Sequence, residues 1–162
     1  LNNYLRSSKA SPQSLEAIIA FNRDHAGTVM PFFGQDIMEL AESKGPLTDT
    51  AYLEALELSR RIARDGIDTA LKTHKLDALI APSNGPAWMT DHVNSDHFSV
   101  GSSSLAAVSG YPNVTVPADF IFGLPIGVSF IGPAYSERQL IEIAYAFEQA
   151  SKARRAPLED AE

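Results

Sequence analysis

The sequence predicts an α/β layer with few strands, in the order helices, strand, long loop, two strands, helix. Three observations carry this expectation. Leu53, Leu56, Ala63, Ile67, Ala70 and Leu71 recur near the helical period opposite a charged face of Glu57, Arg60, Arg64 and Asp68. Ala78 to Ala81 is a short continuous apolar run halted by Pro82, the pattern of a strand buried on both faces. In Pro125 to Ile131, Ile126, Val128 and Phe130 alternate with Gly127 and Ser129, the pattern of a strand with one face on a core. So few strands cannot close a sheet, and the layer reads as the edge of a larger one.

Taken in order, Ser11-Pro12-Gln13-Ser14 predicts a helix start, with Ser11 as N-cap and Pro12 at the first helical position. Leu15, Ile18 and Ile19 form that helix's apolar stripe, and Gly27 ends it. Pro31, Phe32 and Phe33 lead into a short helix through Ile37, Met38 and Leu40, stopped by Gly45-Pro46. Thr48 opens the long helix. After the first strand, residues 83–101 show no apolar periodicity, and loops longer than about 12–15 residues are often functional. Ser102 to Ser109 predicts a short helix ended by Gly110, and Asn113 to Pro117 a strand. Ser136 and Gln139 have the spacing of a capping box for the final helix, which runs through Leu140, Ala144 and Phe147. Residues 153–162 are polar and expected to fray.

Length allows about one domain with a real core, here expected as one partial domain over residues 1–162. With 13 Lys+Arg against 20 Asp+Glu the net charge is −7, which argues against a nucleic-acid partner because phosphate binding needs clustered cations. Arg60, Arg61 and Arg64 repeat at helical spacing and read as a solvated helix face. Cysteine is absent, so disulfides, thiolate metal sites and Cys nucleophiles are excluded. No apolar run approaches the ~20 residues that span a bilayer, so no membrane partner is expected. The chain begins at Leu1 and is expected to start within a longer protein; a targeting signal would lie upstream, and a cytoplasmic location is the default.

Three ordered stretches resemble the amidase-signature family. Asp-Ala-Leu-Ile-Ala-Pro-Ser at 77–83 is similar to the family's late strand running into a Pro-Ser/Thr turn. Ala-Val-Ser-Gly-Tyr-Pro-Asn-Val-Thr-Val-Pro at 107–117 is similar to its helix, Gly-x-Pro turn and strand. Gly-Leu-Pro-Ile-Gly-Val-Ser-Phe-Ile-Gly at 123–132 is followed by a polar linker and the helix that contains Tyr145, Phe147, Glu148 and Gln149. The loop from Asn84 through Trp88 and Asp96-His97-Phe98 to Ser104 resembles the peptide-amidase-like subgroup. The resemblance implies the C-terminal portion of an α/β/α sandwich, a few-stranded mixed sheet with helices packed on it. It implies carboxamide hydrolysis by a Ser nucleophile, a bridging Ser in a cis peptide and a Lys, with oxyanion stabilisation by backbone N–H groups. Those groups belong to a Gly/Ser-rich signature that nothing here matches, so no residue of this chain is assigned to catalysis. What the resemblance leaves to this chain is sheet strands and one wall of a substrate pocket. It implies no cofactor and no metal; the expected partners are a small-molecule or peptide amide and the missing N-terminal portion of the same protein.

Candidate substrate-binding residues are Asn84, Trp88, Ser102 and Ser103. Gly101-Ser102-Ser103-Ser104 is not Gly-x-Ser-x-Gly, since Leu105 replaces the second Gly and no Lys follows nearby. Its hydroxyls cap free amides of a helix or touch a substrate's polar end; a nucleophile is the least supported reading. Trp88 is a loop anchor or a wall against an apolar substrate group. Asn84 and Asn94 stabilise turns or offer an amide to a substrate carbonyl. Asp91-His92 and Asp96-His97 could hold a metal on a rigid scaffold, but read better as solvated loop residues or hydrogen bonders on the pocket rim. His25 and His74 sit at helix ends, where a cation suits the dipole.

Three functions compete on these residues: the C-terminal part of an amidase, inactive alone; a non-catalytic binding or subunit-interaction module; and an independent hydrolase using Ser102 to Ser104 with His92 or His97. Exposed strand edges and β-branched faces also predict self-association of the isolated chain.

Overall fold

The computed structural model describes residues 1–9 and 11–156, so part of the polar tail expected to fray lies outside the described residues. Contacts divide the chain into two units, Leu1–Thr50 and Ala51–Glu162.

The first unit holds α1 (Asn2–Ser7), α2 (Leu15–Asp24), α3 (Ala26–Val29) and α4 (Asp36–Glu42). Helix α2 starts later than Ser11 and Pro12 predict. Ser14 is its N-cap, in extended conformation, with its hydroxyl accepting from the Ala17 amide at 3.1 Å. The Leu15 amide donates to Asn2 Oδ1 at 2.9 Å, so two first-turn donors are satisfied without Ser11. Gly27 does not end the helix either: α2 stops at Asp24 with His25 as C-cap, and Gly27 lies inside α3. His25 stacks on Phe21 with centroids 4.1 Å apart, which fits its expected structural role. Gln35 Nε2 donates to the Ile19 carbonyl at 3.0 Å, tying the approach to α4 onto α2.

The second unit contains α5 (Thr50–His74), β1 (Leu79–Pro82), α6 (Ser103–Ser109), β2 (Asn113–Ile121), β3 (Leu124–Ile131) and α7 (Glu137–Ser151). The strand order is β1-β3-β2, and both ladders are antiparallel. The α/β class holds, but the mixed character expected of the sheet is not present in these three strands. Strand β2 runs on through Ile121, beyond the expected end at Pro117, and meets β3 across a two-residue turn. Phe122 (φ 51°) and Gly123 (φ 82°) are both left-handed there, as the strongly twisted type I′ hairpin requires.

Each sheet face has its own core. Val128 and Phe130 point toward α7, where Leu140 (0% exposed) and Ala144 pack against them with Val114, Val116 and Phe147 around. Phe130 and Phe147 meet edge to face at 5.8 Å. On the other face Ile131 packs with Ile67 and Leu71 of α5 and Ala106 of α6. Burying each such aliphatic side chain is worth about 1.5–3 kcal/mol, so these two clusters fix how α5, α6 and α7 sit on the hairpin. Strand β1 is not buried on both faces as expected. Its exposure alternates, and Ile80 is 64% exposed because β1 is an edge strand with Phe130 beyond it already covered by α7.

The capping box expected at α7 does not form. Ser136 donates its hydroxyl to the Pro133 carbonyl at 2.7 Å, while Gln139 reaches away to Asp77 Oδ1 at 3.0 Å. Both side chains serve the connections on either side of β1 and β3 instead of the helix's own amides. Arg64, expected on a solvated face, donates from Nε to the Ser109 carbonyl at 2.8 Å, and its guanidinium lies 5.9 Å from the Tyr111 ring centroid. Tyr111 in turn donates to Asp68 Oδ2 at 3.2 Å. Burial first, and then the Asp68 charge, push the Tyr111 phenol up from its ordinary pKa. The phenol is therefore a fixed donor that holds the α6–β2 turn against α5.

Candidate functional site

Where β1 ends, the chain leaves the sheet and returns nineteen residues later beside its own exit point. The neck of this loop is a short antiparallel pinch. Gly85 N–H donates to the Val100 carbonyl at 3.0 Å, Asn84 and Gly101 form a bridge, and Ser102 N–H donates to the Ser83 carbonyl at 3.3 Å. Residues 86–99 form neither helix nor strand, as expected. Thus Asn84 and Ser102, two of the four candidate residues, are brought together by main-chain bonds across the neck. Ser103 follows as the first residue of α6, exposed, whereas Trp88 stands out in the loop.

Trp88 is half-buried. Its ring meets Phe98 edge to face at 6.4 Å, and its Nε1–H donates to Asp96 Oδ1 at 3.4 Å. These contacts anchor it to the far limb of the same loop. Asp91 accepts from the Val93 and Asn94 amides and from Asn94 Nδ2, each at 2.9 Å. Asn94 is therefore a turn residue, the first of its two readings. The Asn94 backbone amide, then its side chain and the Val93 amide, lower the Asp91 pKa from 3.8 to about 2. His97 Nε2 lies 3.8 Å from Asp91 Oδ2, and among the described residues no three His, Asp or Glu side chains converge on a point suited to a metal ion.

The Ser102 side chain departs from its expected capping role. It stands at the N-cap of α6 with φ −112° and ψ 0°, and its hydroxyl makes no capping hydrogen bond. Ser102 is 9% exposed, and its Oγ is buried with no hydrogen-bond partner among the described residues. A hydroxyl withdrawn from water without a partner costs roughly 1–3 kcal/mol, so such an orphan needs a reason.

Sequence reasoning passed over the residues behind this point. Ser83, just past β1, Thr115 on β2 and Ser129 on β3 form a hydroxyl triangle across all three strands. Ser83 Oγ and Ser129 Oγ are 2.7 Å apart, Thr115 Oγ1 and Ser129 Oγ 2.9 Å, and Ser83 Oγ donates to Thr115 Oγ1 at 3.4 Å. Gly127 makes this possible. A Cβ there would lie 2.9 Å from Ser83 Oγ and 3.1 Å from the Thr115 methyl. The available signal was Ser129 alternating inward with Ile131, a polar residue on a strand face otherwise committed to a core.

Comparison with known proteins places the chain. The family model described as Amidase matches residues 1–141. A protein described as a probable amidase from Arabidopsis thaliana is 35% identical over 160 residues, covering 97% of this chain and 28% of that protein. Among solved structures, the peptide amidase PAM in complex with the competitive inhibitor chymostatin is 44% identical with a TM-score of 0.91, covering 98% of this chain and 33% of that one. Native peptide amidase from Stenotrophomonas maltophilia is 44% identical with a TM-score of 0.87, covering 99% of this chain and 32% of that one. The chain thus spans about a third or less of the relatives it matches. With the family model matched over most of its length and its fold shared with the peptide amidases, the chain belongs to the amidase-signature family.

Proposed function

We propose that this chain is the C-terminal part of an amide hydrolase, in which it supplies sheet strands and one wall of the substrate pocket. The nucleophilic Ser, the bridging Ser and the Lys that the family resemblance implies would come from the rest of the protein. The observation that carries the reading is Ser102: a buried, unpartnered hydroxyl at the neck of a long loop, in a chain whose fold follows the peptide amidases throughout. Such a hydroxyl can donate to a substrate carbonyl or accept from an amide N–H. Asn84 stands across the neck and Ser103 beside it, while Trp88 stiffens the loop. The substrate class is a carboxamide, small or peptidic, with its polar end at Ser102.

Sequence supports leaving the chemistry elsewhere, because no lysine lies between Lys75 and Lys152 and no Gly-x-Ser-x-Gly surrounds Ser102 to Ser104. The test is the reading frame preceding Leu1, together with the activity of the complete product. A Gly/Ser-rich segment with a preceding Lys, and hydrolysis of an N-acetylated amino-acid amide, are expected. A complete product that lacks that segment, and binds the amide without turnover, would instead make this a non-catalytic binding module.

A further inference from the structure

The geometry points to Ser83, Thr115 and Ser129 as positioning residues for the Ser102 hydroxyl, an inference that rests on the substrate contact proposed above. The three side chains come from the residue that leaves β1, from β2 and from β3, and their hydroxyls close into a triangle at 2.7, 2.9 and 3.4 Å. Hydroxyls that exchange hydrogen bonds in this way hold one another's rotamers and polarise one another. Ser129 is 2% exposed, so its hydroxyl depends on the other two; Thr115 is exposed and free to be varied without disturbing a core.

Ser83 connects the triangle to the neck. Its side chain is in the triangle, its amide donates to the Gly127 carbonyl at 2.8 Å, and its carbonyl accepts from the Ser102 amide at 3.3 Å. Ser83 is thus fixed from three sides, and Ser102 hangs from its carbonyl at the start of α6. The other end of α6 is fixed too, since Ala106 is in the core and Ser109 is fully buried. With both ends held, the Ser102 backbone is fixed, and its Oγ starts from a set, buried place. Binding sites gain affinity when the contacting group is held in place before the ligand arrives. Loosening Ser83 would leave the Ser102 hydroxyl present but mobile, which weakens ground-state binding of the amide while leaving bond breaking to groups elsewhere.

The experiment uses the complete enzyme and an N-acetylated amino-acid amide as probe. Ser102→Ala removes a neutral hydrogen bond and should raise KM by about tenfold. Thr115→Val keeps the shape and deletes the hydroxyl; it should raise KM about threefold with kcat unchanged, whereas Thr115→Ser, which keeps the hydroxyl, should stay near the parent value. In the Ser102→Ala background, Thr115→Val should change nothing further, because the two act through one contact. If Ser102→Ala raises KM but Thr115→Val has no effect, or has the same effect in both backgrounds, the positioning role is wrong and the substrate contact stands. If Ser102→Ala itself leaves KM unchanged, both fall together.

Discussion

The main-chain amide of Ser102 donates to the carbonyl of Ser83, so the residue that opens α6 is joined to the residue that leaves β1. This bond and the one from the Gly85 amide to the Val100 carbonyl make up the Asn84–Gly101 bridge, and together they turn a nineteen-residue loop into a closed excursion from the sheet. A flexible loop closed at a rigid neck can change its own conformation without moving Ser102.

Amide hydrogen exchange should report that division. The neck amides of Gly85 and Ser102 should exchange slowly, within reach of those in β3. Residues 86–99 should be the least protected internal segment, since Val93, Phe98 and Met89 are exposed and few apolar contacts hold them. Uniform slow exchange across residues 83–101, equal to that of α5, would contradict the expectation.

Leu140 is the side chain on which the α7 face depends most. It is completely buried against Val128 and Phe130. Leu140→Ala should lower stability by about 2–5 kcal/mol through lost burial and the cavity left behind. The urea midpoint measures this, and a shift within error of zero would mean that α7 does not pack on the hairpin as described.

Much of this architecture was legible in the sequence because it is local. The long helix, the strand at Leu79, the α6 stop at Gly110 and the closing helix each rest on periodicity or on a residue with a distinctive backbone preference. Gly110, with φ 74°, is the left-handed C-cap its position predicts. The errors came where two elements competed for one polar side chain. Ser136 and Gln139 have capping-box spacing, yet their best partners, Pro133 and Asp77, are set by the tertiary structure. Ser11 looked like a cap until Ser14 and Asn2 together satisfied the α2 amides. The hydroxyl triangle was invisible for the same reason: Ser83, Thr115 and Ser129 meet only when three strands pair in register.

The Asp91 turn sets a pH expectation with a definite sign. Its folded pKa is depressed from 3.8 to about 2 by the Asn94 and Val93 donors, so the turn is stabilised above pH 3.8 and loses that stabilisation as pH falls toward about 2. A carboxyl titration followed by NMR should place the Asp91 midpoint well below 3.8, with the Asn94 amide shift moving at the same pH. A midpoint at the ordinary carboxylate value would show that the turn is not formed in solution.

Self-association of the isolated chain is expected from its surface. Ile80 on the β1 edge, and Leu53, Leu58 and Ile62 on α5, are exposed. The net charge of −7 opposes contact, but its repulsion is screened within about 8 Å at physiological salt, while apolar contact is not. Light scattering over a range of concentrations should therefore give a rising mass. A constant monomer mass without binding of a hydrophobic dye would show that this sheet is sufficient alone.

The most direct test of the division of labour proposed above is amide hydrolysis by the purified 162-residue chain. With no nucleophile–base pair assigned to it, the chain has no group to activate for attack on an amide. The chain should hydrolyse an N-acetylated amino-acid amide no faster than buffer does, and Ser103→Ala should change nothing. Turnover above the buffer rate that disappears in Ser103→Ala would contradict the account and make the Ser102 to Ser104 cluster an active site in its own right.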